Sequence, residues 1–173
     1  MKKIVLMFLF VFITINLQAV DVLQNYKFKD INGKIITMQT HDGGVYFPDF
    51  KGKAVLLNFF GYYCPPCLAE IPHLVKLQEA YKNKFQIIAI QVQKKMAPGA
   101  LADFAKQHNI NYTVIGMDDM KIFDLIDFIT AKTGWRGQIP FMILMDKNGN
   151  ALTTYLGKQK DETLIKDINT AIR

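Results

Sequence analysis

The sequence predicts an α/β protein with a mixed central sheet and helices on both faces. From residue 54 onwards, continuous apolar runs of strand length alternate with stretches of helical spacing. This alternation is typical of parallel strands joined by helical crossovers. Near the C-terminus, two apolar segments instead flank Lys147-Asn148-Gly149-Asn150, a sequence typical of a hairpin turn. A hairpin adds antiparallel strands, so the predicted sheet is mixed.

The composition fits one domain and argues against nucleic acid as a partner. The chain has 173 residues, and 21 basic against 15 acidic side chains give a formal net charge of +6. Such an excess is modest, and no basic run is longer than Lys94-Lys95 or the lysine pair at the N-terminus. We expect a monomer without a nucleic-acid site.

The first 19 residues are typical of a secretory signal peptide. Basic Lys2 and Lys3 precede an apolar stretch over residues 4–15, and a small residue, Ala19, marks the expected cleavage point. Residues 20–173 would then form a single domain in the periplasm or another extracytoplasmic compartment. An uncleaved membrane anchor stays open as an alternative, although a spanning helix usually needs about 20 apolar residues.

The region before residue 54 predicts a small N-terminal β-hairpin. Residues 26–28 and 34–38 flank Asp30-Ile31-Asn32-Gly33, which contains the Asn-Gly signal of a tight turn. A loop is predicted from His41 through Phe50.

The main body is predicted to contain strands and helices in regular order. They are a strand over 54–60, a helix over 64–82 with Pro72 inside it, a strand over 85–92, a helix opened by Ala97-Pro98-Gly99 and ending near Asn109, a strand over 112–115, a helix from Asp118 to Gly134, hairpin strands over 141–145 and 151–156, and a final helix beginning at Asp161.

The only two cysteines lie where the strand over 54–60 gives way to the next helix. In Cys64-Pro65-Pro66-Cys67, Cys64 is the predicted N-cap and Cys67 the third helical residue. A helix start has unpaired N–H groups and a partial positive charge, which favour the thiolate, the reactive form of cysteine. The two prolines remove donors, so only the Cys67 N–H remains for the Cys64 sulfur. The Cys64 thiolate is therefore stabilised less, which favours a protein that reduces its partners.

Two non-catalytic interpretations of the cysteine pair fit less well. A structural zinc site needs about four ligands, and the three histidines, His41, His73 and His108, are scattered without forming a second pair. An inert disulfide closing so short a loop would restrain little chain. The sequence therefore predicts redox chemistry by the cysteines themselves, without a metal or other cofactor.

Residues 52–72 and 137–149, which contain the Cys-Pro-Pro-Cys motif and Gly137-Gln138-Ile139-Pro140, resemble the exported TlpA/ResA-like thiol-disulfide oxidoreductases. The resemblance covers roughly residues 23–172 and implies a thioredoxin fold. It also implies that Cys64 is an exposed nucleophile and Cys67 a shielded resolving thiol. Pro140 would be a cis-proline facing the pair, in a loop that offers backbone hydrogen bonds to a bound peptide.

Glu70 is a further candidate catalytic residue. It follows Cys67 by three residues, so a helix places both on one face. Its carboxylate could accept the Cys67 proton, and it would raise the thiol pKa by like-charge repulsion. The resemblance also implies a functional glutamate here, while Asn58 stands where cytosolic thioredoxins have a buried aspartate. An exposed helix glutamate without a role is the open alternative.

Substrate contacts are expected from side chains around the cysteine pair. Tyr63 takes the place of the family's usual tryptophan, and Pro65, Pro66 and Ile139 belong to the two loops named above. Trp135 precedes the proline loop, where it would either line a substrate groove or lie in the core.

The sequence thus predicts an enzyme that reduces disulfides of exported proteins. The resemblance implies apocytochrome c as a substrate and a membrane thiol donor of the DsbD/CcdA type as the electron source. Two alternatives stay open: an oxidant or isomerase of exported proteins, and a Cu(I) chaperone, because soft thiolates suit that ion.

Overall fold

The structure is a computed structural model that describes residues 24–173. The predicted signal peptide and its cleavage point lie outside these residues. Within residues 24–173, no helix is both long and apolar enough to cross a membrane.

Apart from the short strand Gly44–Tyr46, which the sequence did not predict, the strands and helices follow one another in the predicted order. They are β1 (Gln24–Lys29), β2 (Ile35–His41), β3 (Gly44–Tyr46), β4 (Ala54–Phe60), α1 (Pro65–Tyr81), β5 (Phe85–Gln91), α2 (Ala100–Gln107), β6 (Thr113–Ile115), α3 (Lys121–Thr133), β7 (Phe141–Met145), β8 (Ala151–Leu156) and α4 (Asp161–Ala171). A short 3-10 helix, Pro48–Phe50, leads into β4.

The central sheet is mixed, as the sequence predicts. Its strand order is β6-β5-β4-β7-β8. Strands β4, β5 and β6 are parallel, whereas β7 runs antiparallel to β4 and β8. Every residue of β4, β5 and β7 is buried, which explains their continuous apolar runs.

Helices cover both faces of this sheet. On one face, a buried cluster joins α1, α2 and α4 to the strands through residues such as Leu74, Leu101 and Ile168. On the other face, α3 and the N-terminal strands contribute Ile122 and Phe28 to a second cluster. The cysteine pair belongs to the first cluster.

The N-terminal hairpin is confirmed, but it is part of a three-stranded sheet. Strands β1 and β2 pair antiparallel, and Asp30 Oδ1 accepts hydrogen bonds from the N–H groups of Asn32 and Lys34 at 2.9 and 2.8 Å within the turn. The prediction of a loop after His41 is wrong at Gly44–Tyr46, which forms β3 and pairs with β2. Three residues are too few to show the period of two on which strand prediction rests.

The small sheet is attached to the central sheet at two places. The Ile31 N–H donates to the carbonyl oxygen of Val114 at 3.0 Å, beside the β6 edge. The Ala151 N–H donates to the carbonyl oxygen of Gly43 at 2.8 Å, beside the β7–β8 turn. These contacts hold the small sheet over the face that also carries α3.

Candidate active site

The cysteine pair lies in the turn that joins β4 to α1. Cys64 is the N-cap of α1, with φ −100° and ψ 102°, and Pro65 and Pro66 fill the first two helical positions. The Cys64 sulfur accepts a hydrogen bond from the Cys67 N–H at 3.3 Å. The sequence predicted this geometry, including the loss of the two donors that proline lacks.

Both cysteines are buried and form a disulfide. The S–S distance is 2.08 Å and the Cα–Cα distance is 5.2 Å. Cys64 is 6% exposed and Cys67 is 3% exposed, so the expectation of an exposed Cys64 is wrong for this oxidised form. One reason is the proline loop, because the Cys64 sulfur lies 3.8 Å from the carbonyl oxygen of Ile139. Pro65 and Pro66, by contrast, are exposed.

The loop before β7 faces the disulfide. Its Ile139–Pro140 peptide bond is cis, as the resemblance implies. Pro140 is buried, and its carbonyl oxygen accepts a hydrogen bond from the Gly157 N–H at 2.8 Å. The loop is therefore connected both to the disulfide and to the segment after β8.

Trp135 supports this loop from the core. It is 5% exposed, and its ring centroid lies 4.7 Å from that of Phe59 and 5.0 Å from that of Phe141. Its Nε1–H donates to the carbonyl oxygen of Gln138 at 2.6 Å. Of the two alternatives, the structure places Trp135 in the core, so it does not line a surface groove.

Glu70 is buried, which corrects the alternative of an exposed helix glutamate. It is 1% exposed, and its Oε1 accepts a hydrogen bond from the Gln159 N–H at 3.2 Å. Its Oε2 has no hydrogen-bond partner among the described residues. Burial raises the pKa of Glu70 to about 7, against the opposing effects of the Gln159 N–H, Lys158 and His73. A carboxyl group with this pKa can take up or release a proton near neutral pH.

Tyr112 lies close enough to Glu70 for the carboxylate charge to affect its pKa. Burial, and secondarily the charge of Glu70, raises the pKa of Tyr112, so that phenol stays protonated. Asn58 is 3% exposed in β4, and its Oδ1 has no hydrogen-bond partner in the described part of the chain. Because an amide does not ionise, Glu70 is the titratable side chain of the two.

Sequence reasoning missed Gln93, which holds the turn before the cysteines. Its side-chain Oε1 accepts a hydrogen bond from the Tyr63 N–H at 2.9 Å, although the two residues are 30 positions apart. Gly61 makes room for this contact, since a Cβ there would lie 2.7 Å from both Gln93 Oε1 and Ile139 Cδ1. The available signal was topological: Gln93 follows β5, whose carboxyl end lies beside that of β4.

Tyr63 is accessible to a partner. It is 76% exposed, and its ring centroid lies 4.3 Å from that of Tyr62. Within residues 24–173, no three His, Cys, Asp or Glu side chains come together as a metal site.

The overall arrangement is shared with solved structures of known class. A thiol:disulfide interchange protein of the thioredoxin family from Chlorobium tepidum superposes with a TM-score of 0.70 and 23% identity, over 87% of this chain and 95% of that one. A putative thioredoxin from Neisseria meningitidis gives a TM-score of 0.64 and 26% identity, over 87% and 89% of the two chains. The protein thus has the thioredoxin fold, with the Cys64–Cys67 disulfide at the start of α1.

Sequence comparison gives the particular family. The AhpC/TSA family model matches residues 25–170, and the chain belongs to that family. A thiol-disulfide oxidoreductase ResA from Bacillus thuringiensis subsp. konkukian is 31% identical over 144 residues, which is 81% of this chain and 70% of that protein. The protein is therefore a thiol-disulfide oxidoreductase of the ResA type.

Proposed function

We propose that the protein reduces disulfides of exported proteins through Cys64 and Cys67. The observation that carries the proposal is the position of the cysteine pair, between the N–H groups at the start of α1 and the loop at Ile139 and Pro140. The similarity to a ResA thiol-disulfide oxidoreductase supports it. The buried carboxyl group of Glu70 lies on the same helix.

The first step starts from the dithiol form. The Cys64 thiolate attacks one sulfur of the partner's disulfide, and the partner's second sulfur leaves as a thiolate that takes up a proton. A mixed disulfide now joins Cys64 to the partner. The Cys67 N–H and the positive end of α1 stabilise the attacking thiolate.

The second step resolves the mixed disulfide. Cys67 transfers its proton to Glu70 and attacks the Cys64 sulfur. The partner sulfur that was bound to Cys64 leaves as a thiolate, and the Cys64–Cys67 disulfide is restored. Two electrons thus pass from the enzyme to the partner. Glu70 suits this role because its pKa of about 7 lets it accept a proton near neutral pH.

The partner segment would bind across the two loops that meet at the disulfide. Tyr63, Pro65 and Pro66 are exposed beside the cysteines, and Ile139 and Pro140 form the facing loop. We assign backbone hydrogen bonds to Ile139, because Pro140 has no N–H and its carbonyl oxygen accepts from Gly157. Side-chain contacts are assigned to Tyr63 and the two prolines of the motif, with Pro140 shaping the loop.

The biological setting follows from the N-terminal sequence and from the resemblance. A basic, then apolar N-terminus favours export, either with cleavage after Ala19 or as a membrane anchor. We propose apocytochrome c as one substrate, with electrons supplied by a membrane thiol donor of the DsbD/CcdA type.

A trapping experiment tests the division of roles between the cysteines. Cys64→Ala is expected to abolish reduction of a protein disulfide such as that of insulin. Cys67→Ala leaves the attacking thiol but removes the resolving one, so a mixed disulfide should accumulate and be visible on a non-reducing gel. If Cys67→Ala turned over like wild type, or if Cys64→Ala formed the mixed disulfide instead, the assigned roles would be wrong.

A further inference from the structure

The loops around the disulfide carry basic side chains and no acidic ones. These loops comprise residues 61–64 after β4, 92–99 after β5, 134–140 before β7 and 157–160 after β8. Five exposed basic side chains, which we call the basic rim, lie on three of them: Lys94, Lys95, Arg136, Lys158 and Lys160.

Contacts in the structure connect each of these three loops to the site. In the loop after β5, Gln93 accepts the hydrogen bond from the Tyr63 N–H at 2.9 Å. In the loop before β7, the Ile139 carbonyl oxygen lies 3.8 Å from the Cys64 sulfur. In the loop after β8, the Gln159 N–H donates to Glu70 at 3.2 Å. The basic rim therefore lies on three loops that contact the turn before Cys64, the Cys64 sulfur and Glu70.

Two acidic side chains beside the rim, Asp118 and Asp161, offset part of this charge. Asp118 lies 4.0 Å from Lys95, but their side chains are 77% and 71% exposed, and such pairs contribute little. Asp161 pairs with His73 at 2.9 Å. Glu70 is buried, and its raised pKa leaves it partly neutral at pH 7.

We propose that the basic rim selects partner proteins that carry aspartate or glutamate side chains close to the target disulfide. The inference rests on the proposed disulfide reductase function and names the chemistry of its substrates. Opposite charges would speed encounter with acidic partners, and like charges would slow basic ones. The exposed Tyr63 ring, at 76%, would then supply apolar contact next to Cys64.

Matched substrates test this selectivity with the purified protein. Two synthetic peptides of equal length would each hold one intramolecular disulfide, flanked by four aspartates in one peptide and four lysines in the other. Their reduction rates would be divided by the rate with hydroxyethyl disulfide, a small neutral compound, which corrects for any change in the Cys64 thiolate. At low salt the acidic peptide should react about tenfold faster or more, and salt should shrink this ratio.

Two double variants of equal charge change supply the control. Lys94→Glu/Arg136→Glu alters the rim and should remove or reverse the preference. Lys51→Glu/Lys84→Glu alters exposed lysines that precede β4 and β5, at the opposite edge of the sheet, and should keep it.

The outcomes separate this inference from the proposed function. Equal rates for the two peptides at low salt, or an equal loss of preference in both double variants, would overturn the inference alone. Absence of reduction with all three disulfides would overturn the proposed function and the inference with it. A wild-type protein without peptide preference that instead sediments with phosphatidylserine vesicles would assign the rim to a membrane surface.

Discussion

Glu70 lies on α1, the helix that begins at the cysteine pair, and the fold buries its carboxyl group away from water. One oxygen accepts the Gln159 N–H at 3.2 Å, whereas the other has no partner within the described residues. Burial is the main reason that its pKa rises to about 7. A group in this state is suited to hold the Cys67 proton for part of a catalytic cycle.

Glu70→Gln should slow the resolving step more than the attack. The amide keeps the shape of the side chain but cannot accept the Cys67 proton, and the loss of negative charge should lower the thiol pKa values. A quenched time course should therefore show more mixed disulfide at early times than wild type. The wild-type resolving rate should also fall as the pH drops through about 7, where Glu70 becomes protonated.

Glu79→Gln is the matched control, because Glu79 is an exposed residue of α1 paired with Lys82 at 2.7 Å. It should behave as wild type. Unchanged thiol pKa values and an unchanged time course in Glu70→Gln would return Glu70 to a structural role.

At the scale of the element, we expect the start of α1 to set the reactivity of Cys64. A capping side chain normally accepts from the N–H at the second or third helical position. Pro66 occupies the second position and has no N–H, so the third, that of Cys67, is the donor the sulfur meets.

Pro66→Ala should therefore lower the Cys64 pKa and make the protein more oxidising, because it restores a donor that the thiolate can reach. Pro65→Ala restores an N–H at the first position, which a cap does not normally reach, and should have a smaller effect. Thiol titration of the three proteins measures the difference. Equal shifts for the two variants, or no shift for either, would show that donor number at this turn does not control the thiol.

The elements that the sequence predicted well are those with a strong local pattern. Strands β4, β5 and β7 have continuous apolar runs, and the turn with Asn32 and Gly33 has a specific residue preference. Strand β3 was not predicted because its three residues form a strand only through pairing with β2. Such pairing is a tertiary effect that local propensity does not contain.

The site shows the same division. The cap at Cys64 follows from spacing alone, and the position of Glu70 on the cysteine helix does as well. The burial of Cys64 and of Glu70 and the contact from Gln93 depend on loops that approach from distant parts of the chain. For Trp135 the sequence left two alternatives, and only packing against Phe59 and Phe141 decides for the core.

At the scale of the whole molecule, the raised pKa of Glu70 predicts a pH-dependent stability. A folded-state pKa of about 7 against the ordinary 4.5 means that the folded protein binds more protons between these values. Stability should therefore be highest below about pH 4.5 for this group and fall by about 3 kcal/mol as the pH rises through 7. Denaturant unfolding of the oxidised form, in which the cysteines do not titrate, measures this slope.

The same measurement on Glu70→Gln should show a flatter profile between these pH values. Glu79→Gln, whose side chain is 66% exposed, should retain the wild-type slope. An unchanged slope in Glu70→Gln would assign the pH dependence to other groups.

The central claim is that the protein donates electrons to partner disulfides, and the reduction potential of the Cys64–Cys67 pair tests it most directly. Equilibration of the protein with glutathione or dithiothreitol buffers of known ratio gives this potential. With a single N–H capping Cys64, we predict a value nearer to the roughly −270 mV of thioredoxin than to the roughly −120 mV of the oxidant DsbA. A potential above about −150 mV would contradict the assignment as a reductant.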